Sequence, residues 1–93
     1  MVLPTEPGAY VDKYGTDIWT ISTFHGLRCV ANVSPSPLKY APFTRLEPAA
    51  ETATRVLGRI AELSADIHYS KLDKGTFRVV VTEHIATEYG VTL

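Results

Sequence analysis

A chain of 93 residues with 45% hydrophobic and 20% charged side chains has ordinary globular composition and room for one core, so one domain spanning 1–93 is expected. A net charge of −1 and a pI near 6.3 leave no basic footprint for a polyanion, because the nine Lys and Arg are scattered among ten acids. The lone Cys29 excludes an internal disulfide scaffold, no apolar run approaches the roughly 20 residues of a membrane span, and residues 1–8 lack the basic and apolar regions of a signal peptide.

Pro4, Pro7 and Gly8 predict an extended lead-in that closes on a Glu6-Pro7-Gly8-Ala9 turn. From residue 9 to 22 the pattern is that of a hairpin. Tyr10 and Asp12 alternate with Val11 and Lys13, Lys13-Tyr14-Gly15-Thr16 turns, and Asp17-Ile18-Trp19-Thr20-Ile21-Ser22 is β-branched and aromatic. Ile18 and Thr20 point one way and Trp19 and Ile21 the other, so both faces are partly apolar and predict a strand covered on each side. His25-Gly26 is a second turn, and 27–33 is a third strand with Cys29 near its middle as a small half-buried residue.

Segment 34–42 carries three prolines, each of which removes a ladder donor, so it is expected as a surface loop of extended character. Phe43-Thr44-Arg45-Leu46 fits a short edge strand. A helix is expected over 48–66. Pro48 suits a first turn and Glu51 complements the dipole, while Ala53, Val56, Leu57, Ile60, Ala61, Ser64 and Ile67 repeat at three and four as one apolar stripe. Residues 67–72 are compatible with extension, Asp73-Lys74-Gly75 turns, and 76–82 reads as a strand burying Phe77, Val79 and Val81. A short helix over 83–89 ends at Gly90 as its left-handed cap. These elements define an α+β class: an antiparallel sheet, made of an N-terminal meander plus a C-terminal strand, packed against one main helix, with a short C-terminal helix.

The chain offers no recognisable catalytic set. No serine sits in a nucleophile elbow, and the glycines form no phosphate cradle. Asp12, Asp17 and Asp73 fall in turns, where local hydrogen bonding is the expected work. His84 and Glu88 share a helical i,i+4 spacing, but zinc needs three or four convergent ligands, so no metal, cofactor or enzyme activity is expected. Residues 85–92 resemble the first helix and turn of a helix-turn-helix, with no recognition helix following before Leu93. Among the aromatics, Tyr10, Trp19, Phe24 and Phe77 are expected in the core. Tyr40 and Phe43 flank the proline-rich loop and admit two readings: anchors that join Arg45 in a partner-binding surface, or a lid folded back on the sheet.

The strings Leu3-Pro4-Thr5-Glu6-Pro7-Gly8, the Trp19 hairpin arm, and Tyr40-Ala41-Pro42-Phe43-Thr44-Arg45-Leu46-Glu47-Pro48 followed by Ala50-Glu51-Thr52-Ala53 resemble small non-structural accessory proteins of actinobacteriophages, of the mycobacteriophage type. The resemblance covers about the first two thirds of the chain and transfers no site, since that family carries no catalytic or ligand assignment. It implies a protein acting in the host cytoplasm, without membrane insertion, that binds and diverts a bacterial host protein in host takeover or superinfection exclusion. The rival expectation is a DNA-associated regulator that completes a basic surface as a homo-oligomer, namely a dimer.

Overall fold

The computed structural model describes residues 3–22, 25–30 and 36–93. Strands β1 (Gly8–Val11), β2 (Ile18–Ile21) and β3 (Arg28–Cys29) form the expected meander, and β4 (Thr44–Arg45) returns to the free edge of β1. The order is β3-β2-β1-β4 and every pairing is antiparallel. Helices α1 (Thr52–Ala65), α2 (Ile67–Ser70) and α3 (Lys74–Glu88) follow. The class is α+β, as the sequence predicts. Phe24 and the expected extension of the third strand over 31–33 lie outside the described residues.

The hairpin turn is built around Asp12. Its carboxylate is buried and accepts from the Tyr14 N–H at 3.1 Å, the Thr16 N–H at 3.3 Å and the Trp19 Nε1–H at 3.1 Å. A buried carboxylate is tolerated only when its lone pairs are satisfied, and here three donors do so. Strand alternation then sorts the side chains. Tyr10 pairs with Trp19 and with Arg45, and Trp19 pairs with Cys29, so these four form a row across one face. Ala9, Val11 and Ile18 point to the other face and join Leu46, Val56, Leu63, Val81, Ile85 and Ala86 in the core shared with the helices. The first face is closed by Leu27, Tyr40 and Phe43. Both faces of β2 are thus covered, in agreement with its two-sided apolar pattern.

Helix α1 seats Ala53, Val56 and Leu63 inward, with Ile60 partly buried beside them. The expected stripe is therefore corrected on one flank: Leu57, Ala61, Ser64 and Ile67 are exposed. A run that repeats at both three and four is wider than the strip of sheet it covers, so one column remains outside. The helix also starts at Thr52 rather than Pro48. The Glu47 carboxylate accepts from the Thr52 hydroxyl at 2.7 Å and pairs with Arg55, holding the residues before α1 in a bend.

The main correction concerns the C-terminal third. Residues 76–82, expected as the sheet's C-terminal strand, are the first half of α3, and the expected short helix over 83–89 is its second half. The Asp73-Lys74-Gly75 turn is the helix start. The Asp73 carboxylate accepts from the Thr76 N–H at 3.0 Å and the Thr76 hydroxyl at 2.7 Å, an N-cap that the β-branched run then follows. Val81, Thr82, Ile85 and Ala86 are buried at helical spacing, whereas Val79, expected inside a strand, is exposed. Residues 67–72, read as compatible with extension, contain the short helix α2, whose first turn is capped by Asp66 accepting from the His68 N–H at 2.8 Å. The C-terminal cap is as expected. Gly90 has φ +73°, and the Val91 N–H reaches Ala86 O while the Gly90 N–H reaches Thr87 O, a Schellman closure.

Asp17 is not confined to local bonding. It is buried and receives Arg78 from α3 in a two-point bridge, Nε to Oδ1 at 2.8 Å and Nη2 to Oδ2 at 2.6 Å. The Thr82 hydroxyl donates to Thr16 O at 3.1 Å beside it. Together these bonds fix α3 to the hairpin.

Candidate functional site

Two places gather functional side chains. The first lies on the sheet face away from the helices. Pro37–Tyr40 forms a single 3-10 turn, with Pro37 supplying the fixed φ that starts it, and the Lys13 N–H donates to Tyr40 O at 2.9 Å. This seats the Tyr40 ring 5.3 Å from Trp19 and places Phe43 edge-on to Trp19 at 5.1 Å. Both rings are half-buried, so they act as a lid that completes the core, and their outer edges remain at the surface. Arg45 lies on the same face, opposite Tyr10. Its guanidinium is engaged within the chain: Nη1 binds Glu6 at 2.8 Å and Nη2 donates to Pro7 O at 2.7 Å. The guanidinium packs where a Cβ on Gly8 would stand, and Gly8 has φ +155°, so glycine allows this close approach. The Tyr10 hydroxyl donates to Glu6 O at 2.6 Å, and burial pushes the phenol above its ordinary range, against the opposing pull of Arg45.

The structure thus brings Tyr40, Phe43 and Arg45 to one face, yet the exposed members of that surface are others. Tyr14 is 59% exposed at the hairpin tip and stands edge-on to Tyr40 at 5.8 Å, and Leu38 is 61% exposed in the turn before Tyr40. Lys13 lies over the Tyr14 ring at 4.9 Å, and Lys39 follows Leu38. The sequence held a signal for Tyr14, since a large ring in a Lys-Tyr-Gly-Thr turn has no strand face to bury it. Leu38 gave none, because a leucine between prolines is equally at home under a loop.

The second place is a polar network across the three helices. Arg59 on α1 reaches Glu88 through Nε at 3.1 Å, Glu62 through Nη1 at 3.0 Å and His84 Nε2 through Nη2 at 3.1 Å. His84 Nδ1 in turn lies 3.1 Å from the Tyr69 hydroxyl. Hydrogen bonds that Arg59 donates to Glu88 and then to Glu62 raise its guanidinium above its ordinary range. A guanidinium has only donors, so Nε2 accepts from Arg59 and the ring hydrogen lies on Nδ1. His84 and Glu88 do meet as the i,i+4 spacing suggests, Nε2 to Oε2 at 3.7 Å. Tyr69 and Arg59 could not be joined to them from sequence while 76–82 read as a strand. Among the described residues no group of three or more His, Cys, Asp and Glu side chains is placed to hold a metal ion, and no helix is long and apolar enough to cross a membrane.

The fold and these two surfaces define an α+β domain in which a meander sheet is helix-covered on one face and aromatic-capped on the other. No family model matches the chain, and neither a curated protein nor a solved structure is significantly similar to it.

Proposed function

We propose that this chain is a non-enzymatic binding module whose contact surface is the Tyr14–Leu38–Tyr40 patch, bordered by Lys13, Lys39 and Phe43. One observation carries the reading: two large apolar side chains stand more than half exposed on a patch whose neighbouring rings are fixed by Trp19. Rigid aromatic edges lose little freedom on binding, and centres of protein–protein contact are enriched in such residues. The phage resemblance supplies the context, a protein of the bacterial host cell as partner and host takeover or superinfection exclusion as the outcome. A DNA partner is the weaker reading. Two lysines border this patch, whereas specific duplex binding draws on roughly six to ten phosphate contacts.

The test compares the wild-type chain with a Tyr14→Ala/Leu38→Glu double variant, both immobilised and exposed to actinobacterial host lysate. The expected result is a protein retained by the wild type and lost by the variant, at equal melting temperature, and reconstituted with the purified partner. Identical capture by both chains would sink the proposal. Retention of nucleic acid with a steep salt dependence would transfer the case to the regulator.

A further inference from the structure

A groove formed by α2 and α3 shares no lining residue with the patch just described, although its Glu83 and Thr87 also line a hollow that reaches Tyr14. It is lined by Tyr69, Val80, Glu83, His84, Thr87 and Glu88 and has a volume of about 380 Å³. We propose that it takes a lysine or arginine side chain from a partner polypeptide.

Three observations converge on that occupant. The first is an unanswered charge. Among the described residues, Glu6 is paired with Arg45, Asp17 with Arg78, Glu47 and Glu51 with Arg55, and Glu62 and Glu88 with Arg59. Asp12, Asp66 and Asp73 accept from backbone amides. The Glu83 carboxylate alone has neither an ion pair nor a hydrogen bond, and it stands on the groove wall.

The second is the sign of the surroundings. The groove is walled by two carboxylates and by no lysine or arginine. The Arg59 guanidinium, which touches His84, is already shared between Glu62 and Glu88. A cation entering the groove therefore meets Glu83, an exposed carboxylate with no partner among the described residues.

The third is the shape of the apolar wall. Arg59 fixes the acceptor nitrogen of His84, so Nδ1–H donates to the Tyr69 oxygen and the Tyr69 ring stands edge-on to the imidazole, at 6.0 Å and 83°. The ring and Val80 supply the apolar part of the lining, and Glu83 and Glu88 the acidic part. Long basic side chains lay their methylenes on such surface and keep the charged head at a carboxylate, and a tyrosine face adds cation–π attraction. A free metal ion has no use for that apolar wall, and an acidic or neutral side chain leaves Glu83 unanswered.

The experiment is an NMR titration of the whole ¹⁵N-labelled chain at low salt, with the blocked tripeptide acetyl-Leu-Arg-Leu-amide as probe. Saturable shifts are expected at the amides of Val80, Glu83, His84 and Thr87. The citrulline analogue, equal in shape but uncharged, should bind roughly ten-fold more weakly, and so should the arginine peptide to a folded Glu83→Gln variant. A Leu38→Glu variant should bind the peptide as the wild type does, which separates this groove from the patch above. Equal affinity for the citrulline peptide, or an unchanged affinity in Glu83→Gln, would overturn the proposal. Spermidine binding as tightly as the peptide would also overturn it, in favour of a site for free polyamines.

Discussion

Leu57 and Leu63 lie on the same helix, share one chemistry and have opposite environments: 45% exposed against 4%. Leu63→Ala removes buried methyl groups and leaves a cavity, so a loss of about 2–5 kcal/mol is expected, whereas Leu57→Ala should stay within about 0.5 kcal/mol. Urea unfolding of both variants checks this, and equal losses would mean that α1 is rotated about its axis. The Asp17–Arg78 bridge makes a sharper demand. Arg78→Ala leaves a buried carboxylate without its partner, which typically costs about 3–5 kcal/mol, and the partial exposure of Arg78 places the expected loss near the lower figure. The Asp17→Asn/Arg78→Met pair should lose less than Arg78→Ala alone, because no uncompensated charge remains. Neither the outer side of Leu57 nor the reach of Asp17 was legible in the sequence. The first depends on how wide a strip the sheet covers, and the second joins residues 61 positions apart.

Helix α3 shows why one element was misread. Thr76, Val79, Val80, Val81 and Thr82 carry β-branched side chains, which favour strands by modest amounts, while alternation and helical spacing both run through Phe77 and Val81. The caps and the tertiary contacts decide. Asp73 starts the helix, Gly90 ends it, and Arg78, Val81, Ile85 and Ala86 find partners only on a helix. The cap yields a pH prediction with a definite sign. Bonds from the Thr76 hydroxyl and amide hold the Asp73 carboxyl below its ordinary range. The folded state therefore favours the ionised form, and that stabilisation is present above the ordinary carboxylate range and is lost as pH falls through the lowered value. Asp73→Asn keeps a good capping residue without the charge. Its melting temperature should decline less than that of the wild type between neutral and acid pH, and parallel declines would show that the cap contributes nothing to acid sensitivity. Gly90→Ala should cost about 1–2 kcal/mol in denaturant unfolding, since a side chain at φ +73° is strained whatever space surrounds it.

At the scale of the molecule, the meander was legible because alternation in 18–21 assigns two apolar faces, and two faces require two layers. The covering layers were only half legible. Helix α1 announces itself by period, but nothing in the sequence chooses between Tyr40 and Phe43 as lid and as free anchors, because that depends on where the 3-10 turn docks. The groove beside Glu83 was hidden for a different reason, as it exists only once 76–82 is helical. Strand β2 now links the layers: Ile18 joins the helical core and Trp19, its neighbour, joins the aromatic one at 1% exposure. Adjacent residues of one strand cannot leave their layers independently, since loss of the strand exposes both. Trp19 fluorescence therefore reports the aromatic side and far-ultraviolet circular dichroism the helical side of what is expected to be one cooperative unit. The two signals should give coincident urea midpoints and slopes. If fluorescence changes at lower urea while helicity persists, the lid opens as a separate low-stability unit. The Tyr14–Leu38–Tyr40 patch would then be presented by a mobile segment, and the low ordering cost claimed for it would not hold.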